Sequence, residues 1–167
     1  MEQKASLRPP TSLETTTTTT WTTGLVQLIG PDRTRLVIQF TQLDLEAQPE
    51  CLYDFVEIRS LRADSRMSDD AVRWCTSQHP VIEKYNFVSE SNKAIVRFHS
   101  DYSIAGAGFS ATWQAVDISG CPLQTLTARE GTLMSPNYPH FLMTHLDCAT
   151  TILAPGSHFF VIHFLLS

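Results

Sequence analysis

The sequence predicts an all-β protein: an antiparallel β-sandwich followed by an incomplete second sandwich. Three observations predict it. Apolar residues recur at every second position in several separate segments. Turn signals such as Gly30-Pro31-Asp32 and Gly106-Ala107-Gly108 divide these segments. No long amphipathic helical pattern is evident. Period-two patterning with aromatic and β-branched residues on one face marks half-buried antiparallel strands. Several of them in succession make a sandwich.

Residues 1–23 are low in complexity, with an unbroken threonine run at 15–20 and Pro9-Pro10 before it. Such a tract has little apolar surface to offset chain entropy, so it is expected to be a disordered leader. The strand pattern begins at Gly24. Leu36, Ile38 and Phe40 alternate with Val37, Gln39 and Thr41. Val56 and Ile58 alternate with Glu57 and Arg59, and Ala94, Val96 and Phe98 with Arg97 and His99. Phe109, Ala111, Trp113 and Ala115 alternate with Ser110, Thr112 and Gln114. Between these segments, residues 69–75 are read as at most a short turn of helix.

The strand that ends near Val116 gives way to the string DISGCP, a boundary that closes a first domain at residues 24–117. Residues 118–167 form a second β-rich unit. Its last segment, with Phe160, Ile162, Phe164 and Leu166, reads as a core strand apolar on both faces. The run from 159 to 166 is far shorter than the ~20 residues of a membrane span. No membrane span is expected in this chain.

Charge and cysteine content bound the function. The net charge is −5, and no Lys/Arg cluster exists to track a phosphate backbone, which argues against a nucleic-acid partner. Four cysteines stand at 51, 75, 121 and 148. No C-x-x-C pair occurs, so a zinc knuckle or thioredoxin-type site is not expected. An even count at wide spacing suits two structural disulfides in an oxidising compartment, or else four buried thiols in a reducing one. The polar start lacks the ~7–15-residue apolar stretch of a signal peptide. If the protein is secreted, this chain is expected to be a slice of a longer precursor.

No catalytic constellation emerges. Asp44 and Glu46 share a strand face, but no second acid completes a glycosidase pair. His140 with His145, and His158 with His163, lack metalloprotease spacing. There is no G-x-S-x-G elbow, and the Gly106-Gly108 turn precedes a strand, unlike a dinucleotide loop. The chain is not expected to be an enzyme.

Four separated segments agree in order and spacing with one family. They are FTQLDLE from Phe40 to Glu46, CLYDFVEIR from Cys51 to Arg59, FHSDYS from Phe98 to Ser103 and GFSATW from Gly108 to Trp113, with Cys75 among them. Over about residues 25–116 the chain resembles the CUB domain family. The second unit resembles the first half of another such repeat. It offers Cys121, then GTLMSPNYP from Gly131 to Pro139, then Asp147-Cys148, Ile152 and Pro155-Gly156.

The resemblance implies a jelly-roll-like sandwich from a tandem-repeat extracellular protein. It implies that Cys51 pairs with Cys75 and Cys121 with Cys148. It also implies a departure, because the threonine-rich leader stands where the first repeat's amino-terminal strand and first disulfide belong. A subset of the family binds calcium, and its acidic ligand positions hold Glu46, Asp54 and Asp101 here. Backbone oxygens near Ser103 and Ile104, with water, would complete the six to eight oxygens calcium takes. Such sites also receive a partner's lysine or arginine, and Tyr53, Tyr102 and Ser103 would form the rim. The expected function is extracellular protein binding, by a secreted protein or the ectodomain of a membrane protein. The alternatives are the non-catalytic arm of a secreted protease and a truncated product without function.

Overall fold

The computed structural model describes residues 4–8, 24–62, 64, 66–78, 86–121, 123–140, 142–144, 146–154, 156, 159 and 161–163. The chain divides into two units, Met1–Asp117 and Ile118–Ser167.

Among its described residues the first unit carries nine strands: β1 (Lys4–Arg8), β2 (Gly24–Ile29), β3 (Thr34–Asp44), β4 (Phe55–Leu61), β5 (Met67–Trp74), β6 (Ser77–Gln78), β7 (Phe87–Val88), β8 (Lys93–His99) and β9 (Gly108–Asp117). One sheet has the order β2-β8-β4-β5, antiparallel throughout. The other runs β1-β9-β3-β6, with β7 also paired to β3. The β3–β9 pair is long, from Thr34 opposite Asp117 to Asp44 opposite Gly108, with a register shift between Phe40 and Gln42.

The alternating apolar residues of both sheets meet in one core. Leu36, Ile38, Phe40 and Phe109 come from one sheet, and Val56, Ile58, Val96 and Phe98 from the other. Aromatic edges tie the sheets together. Phe40 meets Trp74 at 5.3 Å, and Phe98 meets Phe109 at 5.6 Å between ring centroids. The sandwich expected from the alternation is present.

Several expectations are corrected. Residues 4–8 of the expected disordered leader form β1, which lies parallel to β9 from Lys4 opposite Gly108 to Arg8 opposite Thr112. The threonine run lies outside the described residues. Residues 69–75 are not helical: all but Cys75 belong to β5, an edge strand held by β4. Val37, placed by alternation on the polar side, is fully buried, and it pairs with Val88 of β7 and Gln114 of β9.

The second unit contains β10 (Leu123–Leu126) and β11 (Ala149–Ile152), which pair in parallel from Leu123 opposite Ala149 to Leu126 opposite Ile152. Cys121 and Cys148 are bridged just before these strands, with Cα atoms 4.6 Å apart. The expected terminal core strand is not found among the described residues. Ile162 is outside any strand and 59% exposed, and Phe160, Phe164 and Leu166 lie outside the described residues.

Candidate functional site

Strand pairing decides where the three acidic residues lie. Phe55, the first residue of β4, stands opposite His99, the last of β8. Asp54 and the segment after β8 therefore emerge together. In the facing sheet, Asp44 at the end of β3 stands opposite Gly108 at the start of β9. The connection from β8 to β9 thus carries Asp101 from one sheet to the other, past the segment that holds Glu46.

Asp54 is buried, with 1% exposure, and its Oδ1 accepts a hydrogen bond from the Asp101 backbone amide at 3.0 Å. Asp101 turns its carboxylate onto its own loop. Its Oδ1 accepts from the Ser103 amide at 2.8 Å, and the Ser103 hydroxyl lies 3.0 Å from both carboxylate oxygens. Glu46 is half-buried, and its Oε2 is enclosed without a hydrogen-bond partner. Burial, then the charges of Asp101 and Asp54, push the Glu46 carboxyl above its ordinary pKa. Three carboxylates from three segments thus share one electrostatic environment.

The oxygen donors suit a hard cation. The enclosed, unpaired Oε2 of Glu46 is what a carboxylate set short of positive charge would display. Among the described residues, no group of three or more His, Cys, Asp or Glu side chains has the arrangement to hold a metal ion as it stands.

The rim residues are open. Tyr53, Tyr102, Ser103 and Ile104 are all exposed, and Leu52 joins them. Ile104 presents an apolar side chain to solvent, so only its backbone has oxygen to offer.

Three supporting residues escape sequence reasoning. Asp44 accepts from the Ser77 hydroxyl at 2.7 Å and from the Ala107 amide at 2.8 Å, which ties the β8–β9 loop to β3. Gln48 organises the segment between Glu46 and Asp54. Its Oε1 accepts from the Glu50 and Leu52 amides, and its carbonyl from the Cys51 amide. Gly106 lies against the Asp44 backbone. The Cys51–Cys75 bridge, with Cα atoms 5.3 Å apart, anchors the same segment. A glutamine followed by Pro49 in a turn was the one signal available for Gln48.

Comparison with known proteins agrees with this architecture. The model of the CUB domain family matches residues 9–113. Human neuropilin-2 is 30% identical over 134 residues, covering 79% of this chain and 14% of its own length. Mouse tolloid-like protein 2 is 27% identical over 171 residues, covering 79% of this chain and 16% of its own. The chain therefore spans a small part of these relatives. Among solved structures, the CUB1-EGF-CUB2 domain of human MASP-1/3 superposes with a TM-score of 0.51 at 19% identity. That match covers 81% of this chain and 64% of the other, and it supports the fold. With the sandwich, the Cys51–Cys75 bridge and the four ordered segments, the match over residues 9–113 establishes that the chain belongs to the CUB domain family.

Proposed function

We propose that the chain is an extracellular protein-interaction module whose acidic end binds calcium and, through it, a basic side chain of a partner. The observation that carries the reading is the enclosed Oε2 of Glu46, unpaired and in the field of Asp54 and Asp101. Glu46, Asp54 and Asp101 supply the carboxylates, and the backbone at Ser103 and Ile104 supplies further oxygens. Calcium, when bound, provides charge neutralisation that clamps the segment after β3 to the β8–β9 loop. Tyr53, Tyr102 and Ser103 then frame the acids, and a lysine or arginine from a protein partner pairs with carboxylate oxygens left outside the ion's shell. The role is binding, not catalysis. Two disulfides support an oxidising, extracellular setting. Among the described residues no helix is long and apolar enough to cross a membrane.

The test is thermal unfolding of the full chain in calcium and in chelator, beside Asp101→Ala. Calcium that binds only the folded state stabilises it by about 2.7 kcal/mol at a hundredfold excess over Kd. The expected result is a higher midpoint in calcium for the wild type and a much smaller rise for the variant. No calcium response in a folded sample overturns the site. An equal response in both proteins moves the ion elsewhere.

A further inference from the structure

The outer face of the β2-β8-β4-β5 sheet carries an arrangement that the acidic end does not use. Pairing registers place Leu25, Arg97, Glu57 and Arg73 in one row across the four strands. The next row reads Gln27, Ile95, Arg59 and Ala71. In a chain of net charge −5, three arginines thus gather about one carboxylate.

These arginines are held in place. Arg73 donates to Glu57 from Nε at 3.0 Å and from Nη2 at 2.6 Å, and Arg59 donates from Nε at 3.1 Å. The Phe55 ring lies beneath the group, 4.1 Å from the Arg73 guanidinium carbon and 5.2 Å from that of Arg97. A guanidinium on an aromatic face keeps its edge donors directed outward. Each guanidinium has five N–H donors, and Arg59 uses only Nε on Glu57. Arg97 makes no ion pair among the described residues. Beside them on β2, Leu25 and Ile29 are 60% and 58% exposed.

We propose that this sheet face is a second docking surface, one that takes an acidic peptide segment of a protein partner. Carboxylates of the segment pair with the outward edges of Arg97 and Arg59, and an interleaved apolar side chain lies on Leu25 and Ile29. Charge complementarity selects the occupant, because the local excess of positive charge is fixed before binding and little side-chain freedom is lost. Glu57 orients Arg59 and Arg73 and is already satisfied, so it does not repel the segment as a bare carboxylate would.

The test uses the full chain at low salt, in chelator so that the acidic end takes no part. The probe is an end-blocked, fluorescein-labelled peptide of alternating glutamate and leucine, read by anisotropy. The expected result is saturable binding that weakens about tenfold in Arg97→Gln and in Arg59→Gln. Arg62→Gln serves as the control, since Arg62 pairs with Asp69 at 3.3 Å beyond the end of β4, and it leaves binding unchanged. Absence of saturable binding overturns the proposal. So does equal binding of a lysine–leucine peptide, or binding indifferent to Arg97→Gln. Heparin binding that depends on Arg97, without peptide binding, assigns the face to a sulphated glycan and also overturns it.

Discussion

The Asp54 carboxylate holds the backbone amide of Asp101, 47 residues farther along, at 3.0 Å. One hydrogen bond therefore joins the start of β4 to the loop that leaves β8. Asp54 is buried, so the bond does not compete with water as a surface bond does. The bond ties two of the three acidic segments together.

Two substitutions at Asp54 separate its duties. Asp54→Ala leaves the Asp101 amide without its acceptor and should cost about 1–3 kcal/mol in urea unfolding. Asp54→Asn keeps an acceptor oxygen but removes the charge. It should retain most of the stability in chelator and lose most of the calcium response. An alanine variant as stable as the wild type would show that the bond is not structural.

Gly106→Ala should disturb the same end from the other side. A Cβ there would sit 2.3 Å from the Asp44 carbonyl oxygen, and a backbone atom cannot swing away as a side chain can. The loop that carries Asp101 has to move. The expected loss is about 1–3 kcal/mol, the usual cost of overpacking, with a smaller calcium shift. An unchanged urea midpoint would mean that the loop adjusts freely.

The sandwich was legible in Leu36, Ile38 and Phe40, and in Val96 and Phe98, because a two-sided layer leaves an alternating trace in each strand. β5 was not, since its sequence MSDDAVRW lies on an edge where most side chains are exposed and no apolar face is needed. β1 was hidden because backbone pairing, not patterning, defines it. The positions of Glu46, Asp54 and Asp101 were legible only through family resemblance. Asp44 and Gln48 were not, because their hydrogen bonds go largely to backbone amides, which no side-chain pattern reports. Alternation sets Glu57 apart from the core residues of β4 but does not report that it is buried. Arg59 and Arg73, hydrogen-bonded to its carboxylate, lie against it.

Ser89 is a small polar residue with no exposure, on which sequence patterning was silent. Its Oγ accepts from the Leu36 amide at 2.7 Å and donates to the Ser91 carbonyl, while its own amide donates to the Leu36 carbonyl at 2.8 Å. Ser89→Ala strands the Leu36 amide at the edge of the core. The expected loss is about 1–3 kcal/mol by urea unfolding. Ser110→Ala, at a half-buried position, serves as the comparison and should stay within about 1 kcal/mol of the wild type.

Glu57 gives the protein a pH dependence whose sign follows from its surroundings. Burial alone would raise its pKa, but hydrogen bonds from Arg73 and Arg59, with their charges, outweigh burial and hold it below the ordinary 4.5. A carboxyl with a depressed folded-state pKa favours folding when ionised. That contribution is present in full above the unfolded value of 4.5 and is lost as pH falls through the lower folded value. Both arginine side chains keep 34% exposure, so solvent screening limits the gain. Glu57→Gln should therefore lose about 1–3 kcal/mol at neutral pH. As pH falls below 4.5 and through the lower folded value, the wild-type carboxyl takes up its proton, and the two proteins should converge. Urea midpoints for both proteins across that range provide the check. A gap that stays constant with pH would mean that Glu57 acts through shape and hydrogen bonding alone, and the ion-pair account would fail.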